Sequence, residues 1–585
     1  MDTAMAHDAE GGVTGSKFAA TMVTFRELFA VAVFLGLVNL FANYLLSPFF
    51  GIYEDDYTLF LPSQTWRSHD IIGYLQWCFT EAPQGRPIGW AINGLLGYVT
   101  RGHSLEPAYV IGWLILTLNA VLLYVVLKRA SNWFGASIGS VVYLVLPVDV
   151  SKVILMHRSY VHSSMTFLLI GLVLYTTGKL RWKIVGFICA IFSLTIWEGF
   201  FIPFLVAPFL APGSTKKKLQ GFLWHSLVFA LVICAFLVVR YFSGEQRVTA
   251  MAAGGIEMFK RMLYVLFVGP ATGVLTFVLR PIEVFCFADA FPKMVGIFLF
   301  CLVVAYFLIS RVRLNNYAEQ GTQKAVFLGV AAVISVVSPY ILMYRSDYFP
   351  ANVTTGRLTC CHAPAAFGYA SLAAVTAYVA WLVFKNFRPL VVFVFSAYLC
   401  FLVAFGVHVQ AAEYVEGWND QLFLWRRIIA QCADAGEGNT ILLDVTGLPA
   451  SQSFGALWLT AAAAGDTLHR FAEFPSEWKT FPEVNVYYTQ CEYELKGDDL
   501  LLKSPSWAEK RWSTIKDGNF IFLRFEGGDL RRVNEPVTLF GKQFSPKAPE
   551  EKPPLVLTRL GQTILGTKTS LNWRWFGKPL FYPKP

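Results

Sequence analysis

Apolar runs separated by short polar stretches dominate the chain from Phe25 to Val409. The first covers Phe25–Phe50. Others follow over Pro107–Leu127, Phe134–Val148, Ser164–Thr177, Ile184–Ile196, Phe200–Ala211, Leu219–Tyr241, Pro292–Ser310, Ala325–Tyr344, Leu358–Phe384 and Leu390–Val409. A helix rises 1.5 Å per residue, so about 20 apolar residues cover a hydrocarbon core of roughly 30 Å. The pattern therefore predicts about eleven transmembrane helices. The two short runs flanking Trp197-Glu198-Gly199 are read as two spans rather than one broken helix. Lys179, Arg181 and Lys183 on one side and Lys216–Lys218 on the other both suit the cytoplasmic face.

With the N-terminus inside, the loops holding Lys128/Arg129, Arg311/Arg313 and Lys385/Arg388 also fall inside. That count requires Glu257–Phe285, apolar but broken by charges, Gly269-Pro270 and Arg280-Pro281, to be a re-entrant or interfacial element on the outer face. After Val409 no spanning run follows, and charges, Gly and Pro become common. Helical spacing over Asn419–Cys432 and Phe454–Ala464, with strand patterns at Thr440–Val445, Val484–Thr489 and Phe520–Phe525, predicts a small α/β domain. The expected fold is a polytopic α-helical membrane protein with a C-terminal extracytoplasmic α/β domain. Residues 1–24 form a cytoplasmic tail, 25–410 the membrane module with outer-loop interfacial helices at 51–106 and 243–291, and 411–585 the outer domain.

Composition agrees. Of 585 residues, 55% are hydrophobic and only 15% charged, against about a quarter charged in soluble domains. The mean hydropathy is +0.49. The net charge of +9 includes no dense basic run of the kind that binds nucleic acid, and the ten cysteines form no zinc spacing or short-loop disulfide framework.

Scarce charges make the outer loops readable. Directly after the first span comes Tyr53-Glu54-Asp55-Asp56-Tyr57, three carboxylates at the hydrocarbon boundary. Acids there are costly unless they pair, bind a cation or line a wet cavity. Trp66, Trp77, Gly85-Arg86-Pro87 and Ile88–Tyr98 suggest chain lying along the membrane surface beside them. Lys152, Arg158, Arg345 and Arg357 stand in outer loops against the positive-inside bias, His157 and His162 offer ligands or acids, and Glu198 sits between two short apolar runs among Trp197, Phe200 and Phe201.

An acidic pair just beyond the first span, followed by interfacial helices and a multi-span core, resembles the GT-C class of membrane glycosyltransferases. Within that class, Tyr53-Glu54-Asp55-Asp56 with Gly85-Arg86-Pro87 is similar to the bacterial O-antigen glucosyltransferases of the GtrII type. The resemblance covers roughly Phe25 to Val409. It implies sugar transfer from a polyprenyl-phosphate-linked donor to a cell-envelope glycan or lipid acceptor, at the outer face of a bacterial inner membrane.

In that chemistry a carboxylate takes the acceptor hydroxyl's proton and cations meet the leaving phosphate. Asp55 and Asp56 are the catalytic candidates, one as base and the other orienting acceptor or cation. Glu54, Glu198 and Arg86 are accessory or acceptor candidates, and Lys152, Arg158, Arg345 and Arg357 the phosphate ligands. A divalent cation, Mg or Mn, would fall to Asp55 and Asp56. The competing classes are a transporter or flippase of lipid-linked saccharides and a non-catalytic envelope-assembly protein. The near absence of charge inside the spans speaks against the transporter.

Overall fold

The computed structural model describes residues 23–57, 60–81, 86–102, 104–146, 152–242, 255–286, 291–310, 322–343, 352, 357–444, 467–487, 493–503 and 512–566. The expected N-terminal tail and the Phe454–Ala464 helix lie outside them. The longer helices are α1 (Phe25–Asn39), α2 (Ser68–Thr80), α3 (Pro87–Val99), α4 (Glu106–Ala130), α5 (Trp133–Val145), α6 (Leu155–Tyr175) and α7 (Leu180–Ile196). They continue with α8 (Thr215–Phe242), α9 (Gly255–Cys286), α10 (Phe291–Ser310), α11 (Thr322–Val337), α12 (Ala366–Val383), α13 (Arg388–Val409) and α14 (Glu416–Gln431).

Seven helical stretches among the described residues are long and apolar enough to cross a membrane: Phe25–Phe49, Glu106–Ala130, Thr215–Phe242, Phe259–Glu283, Thr322–Leu342, Thr359–Val383 and Lys385–Gln431. All but Phe259–Glu283 coincide with expected spans. The chain is thus a polytopic helical protein; the described residues contain seven such helices, and the eleven expected are not confirmed. Of the other expected spans, α5 has only 13 residues, about 20 Å of rise, and α6 opens on the polar stretch Met156-His157-Arg158-Ser159.

The stretch read as re-entrant or interfacial is instead one unbroken helix, α9, with Pro270 and Pro281 inside it. Proline removes the N–H that would bond the carbonyl four residues back, which for Pro281 is that of Phe277. The hydroxyl of Tyr398 on α13 donates to that oxygen at 3.1 Å, so a neighbouring helix satisfies the group the proline leaves free.

Close helix contacts fall where side chains are small. On α5, Gly135 and Gly139 lie against the carbonyls of Ala374 and Ala370 on α12, where an added Cβ would come within 2.8 and 2.7 Å of oxygen. Gly171 on α6 and Gly186 on α7 meet in the same way. Lipid tails are as apolar as leucine, so such packing rather than burial from water holds spans together. Asn39 on α1 donates to the Trp113 carbonyl and Thr117 hydroxyl of α4, both at 3.0 Å. Near the other end of α1, Glu27 accepts from Tyr124 (2.6 Å) and pairs with Lys128 (2.5 Å).

The C-terminal domain bears out the expected strands. Its main sheet has the order β2 (Glu483–Tyr487), β1 (Thr440–Asp444), β6 (Phe520–Glu526), β7 (Asp529–Val533). The pairs β1–β2 and β1–β6 are parallel, and β6–β7 is a hairpin turned by Gly527 and Gly528 at φ 60° and 82°. Flanking it are the antiparallel β3 (Tyr493–Lys496), β4 (Asp499–Lys503) and β5 (Trp512–Ile515), and the hairpin β8 (Val537–Leu539) with β9 (Lys542–Phe544).

Asp434, just past α14, ties the domain together. Its carboxylate accepts two hydrogen bonds from Arg532 (2.5 and 3.0 Å) and one from the Glu550 N–H (3.1 Å). Burial by itself would raise this carboxyl, but Arg532, the Glu550 N–H and Lys547 hold it below the usual range. A folded pKa below the unfolded value gives stability that is present above about pH 4 and lost as pH falls through the folded pKa. Unfolding of the outer domain is therefore expected to become easier below about pH 4, and Asp434→Asn to lower Tm at pH 7 and flatten that acid dependence. Tryptophan fluorescence melts between pH 3 and 7 check both.

Candidate functional site

The first two turns of α6 are the hub of the region to which the sequence points. A helix leaves its first N–H groups without intrahelical partners. Asp56, from the short turn Glu54–Tyr57, supplies them: its Oδ1 accepts from the Met156 N–H at 2.7 Å and its Oδ2 from Leu155 at 3.2 Å and Tyr53 at 3.0 Å. The carboxylate is 0% exposed and its negative charge suits the positive end of the helix. Asp56, one of the two acids expected to act as base or to orient acceptor or cation, fastens the acidic loop to α6.

No group of three His, Cys, Asp or Glu that could hold a metal occurs among the described residues. The side chains of Glu54, Asp55 and Arg357, and all of Arg345, lie outside the described residues. The Arg357 backbone begins the turn Arg357–Ala365.

Two of the expected phosphate ligands face inward. Lys152 is buried, and its Nζ donates to the carbonyls of Leu144 (2.7 Å) and Leu146 (3.2 Å) at the end of α5. Arg158 is 1% exposed. Its Nε donates to the Lys152 carbonyl, and its guanidinium lies over the rings of Tyr44 and Tyr109, 4.3 and 4.6 Å from their centroids. Its two terminal nitrogens have no hydrogen-bond partner among the described residues. Room for it comes from Gly112, where a Cβ would lie 2.0 Å from Arg158 Cδ. Both cations were expected on an open outer loop, yet they hold the end of α5 and the start of α6 in place. His157 and His162 are also buried, with His162 Nδ1 3.3 Å from the Tyr143 hydroxyl.

The accessory candidates do converge. Arg86, just before α3, makes a two-pronged bond to Glu198, Nε to Oε2 at 2.9 Å and Nη2 to Oε1 at 2.6 Å, while its Nη1 donates to the Tyr160 hydroxyl at 2.7 Å. Arg240, in the last turn of α8, reaches Glu198 Oε1 from another side at 3.3 Å. Glu198 is placed by Trp197, which breaks the helical path with φ −151° and ψ 112°. Tyr160 stacks on the Trp197 ring and lies one turn along α6 from Met156. Two guanidiniums thus share one carboxylate, with side-chain exposures of 6% for each arginine and 15% for the glutamate.

Arg240 escaped the sequence reading because it stands inside an apolar run; its signal was an arginine at the far end of a span. Also unforeseen is a polar knot beside this cluster. The Tyr340 hydroxyl lies 2.5 Å from His362 Nδ1 and 2.6 Å from the Tyr369 hydroxyl. Gly199, next to Glu198, abuts Pro364 of the turn that carries His362.

Removing one member of a buried ion pair leaves the other uncompensated, at a cost of about 3–5 kcal/mol. Glu198→Gln removes the carboxylate that two arginines share, so it is expected to lower thermal stability more than Arg240→Gln, which leaves the Arg86–Glu198 pair intact. Equal losses in a melt of the purified protein would contradict this ranking. Compared with known proteins, the chain matches no family model and no curated relative.

Proposed function

We propose that the protein is a membrane glycosyltransferase of the GT-C type. It would transfer a sugar from a polyprenyl-phosphate-linked donor to a cell-envelope glycan or lipid on the outer face of a bacterial inner membrane, with the C-terminal domain on that same side. The observation that carries this reading is the joining, through the first turns of α6, of the acidic first loop to a buried cluster in which two arginines share one glutamate. Asp56 grips the head of α6, and Tyr160 one turn on grips Arg86, which shares Glu198 with Arg240.

The chemistry that fits is a displacement at the anomeric carbon. An acceptor hydroxyl loses its proton as it attacks, and a phosphate gains charge as it leaves. Asp56 is committed to peptide N–H groups, so the base role falls to its neighbour Asp55. Arg86 and Arg240 are suited to the departing phosphate, because guanidinium forks match phosphate oxygens. Glu198 would hold both guanidiniums in place between turnovers.

Asp55→Asn is expected to abolish transfer from polyprenyl-phosphate-linked sugars in membranes while leaving insertion and Tm unchanged, since general-base removal costs about 100-fold or more. Asp56→Asn is expected to reduce both activity and Tm. Full transfer by a well-inserted Asp55→Asn variant would end the assignment of the base.

A further inference from the structure

The last membrane helix continues beyond the hydrocarbon. The 3-10 turn Lys385–Phe387, α13, the π-turn Gln410–Val415 and α14 form one helical rod of 47 residues from Lys385 to Gln431, about 70 Å long. Its face at positions 410, 414, 418, 421 and 425 meets the end of the first span and the first loop turn by turn. Gln410 accepts from the Leu46 N–H (3.0 Å) and donates to the Phe41 carbonyl (2.8 Å). The Tyr414 carbonyl accepts from the Tyr53 hydroxyl at 2.8 Å. Trp418 lies so close to Gly51 that a Cβ there would be 1.8 Å from the indole. Gln421 Oε1 accepts from the Tyr57 hydroxyl at 2.7 Å, and Trp425 Nε1 donates to that same hydroxyl at 3.1 Å.

The opposite contacts of the rod belong to the outer domain. The Trp425 ring meets Phe471 edge to face at 5.1 Å, Arg427 pairs with Asp529 of β7 at 2.9 Å, and the Gln431 carbonyl accepts from Arg532 at 3.2 Å. One indole therefore touches both Tyr57 and the outer domain. Tyr57, Gln421 and Trp425 are all buried, at 2%, 0% and 0% exposure. Gln421 keeps its Nε2 without an acceptor among the described residues, a cost that a leucine would avoid, so its contribution there is the oxygen it offers Tyr57. Burial, outweighing the Trp425 hydrogen bond, raises the Tyr57 hydroxyl well above its usual range, which keeps it a neutral donor.

We propose that Tyr57, Gln421 and Trp425 are positioning residues through which the outer domain sets the turn Glu54–Tyr57 and hence the acids it carries. A shift of Phe471 against Trp425 is passed to the Tyr57 hydroxyl, and Asp56, the residue before it, holds the same turn to α6. The relay stands on packing and hydrogen bonds and not on the transfer reaction, so its test reads no sugar chemistry.

The test is hydrogen–deuterium exchange of the full chain in lipid nanodiscs, following the peptide that contains the hydrogen-bonded amides of Gly51, Tyr53 and Asp56. Tyr57→Phe removes two hydrogen bonds, those with Gln421 and Trp425, and Gln421→Leu removes the first of them; each is expected to speed its exchange about fivefold or more. The double variant should be no faster than Tyr57→Phe alone, because the bond that Gln421→Leu deletes is already gone in it. Phe471→Leu, in the outer domain, is expected to speed exchange in this peptide by about twofold or more, with the α4 peptide unchanged. Should Phe471→Leu fail to fold, Arg427→Ala loosens the rod on β7 and is read on the same peptide. Faster exchange confined to the outer domain, with the first loop at its wild-type rate, would overturn the relay. So would additive effects of Tyr57→Phe and Gln421→Leu.

Discussion

The carboxylate of Asp56 on the head of α6 is the contact from which the rest of the region follows. In a protein interior poor in water, the unpaired N–H groups of a helix start need acceptors, and a charged acceptor aligned with the helix dipole meets that need well. Once Asp56 holds Leu155 and Met156, the first loop must lie over α6, and the side chains one turn further along are placed against whatever the loop brings. Tyr160 thereby meets Arg86, and Ser159 donates to Asn93 of α3 at 2.7 Å.

Charge in this low-dielectric setting is arranged so that few groups stand uncompensated. Glu27 answers Lys128 near one end of α1, Asp434 answers Arg532 in the outer domain, and Glu198 answers two arginines. Arg158 is the different case. Its guanidinium lies over two tyrosine rings with its terminal nitrogens unbonded among the described residues. Ring faces attract a cation weakly compared with a carboxylate, so this buried charge is held by geometry, with Gly112 giving it space.

Backbone irregularities are satisfied by neighbours. The π-turns at Leu40–Tyr44 and Gln410–Val415 disturb the regular i to i−4 ladder, and the carbonyls of Phe41 and Tyr414 accept from Gln410 and Tyr53. Pro281 frees the Phe277 carbonyl, and Tyr398 fills it. Each irregularity thus becomes a contact between helices distant in sequence, linking α1 to α13, the first loop to α14, and α9 to α13.

The sequence by itself determined the class of molecule and most of its long helices, because a run of about 20 apolar residues has few stable settings other than a lipid core. It also determined the change of composition after Val409, three strands of the C-terminal domain and the segments that carry the candidate site, since charges at a membrane boundary are costly unless they are paired. Only the tertiary structure decided what each charge does. Asp56 and Asp55 are neighbours in sequence, yet the burial of Asp56 depends on where α6 begins, about one hundred residues later. Lys152 and Arg158 looked like open cations because hydropathy does not report the direction a side chain takes at a helix end. Arg240 and the Tyr340–His362–Tyr369 knot were hidden because each residue is unremarked in its own run and gains meaning only from partners on other helices. Local pattern follows from local physics, whereas pairing across the bundle depends on packing that no single stretch of sequence contains.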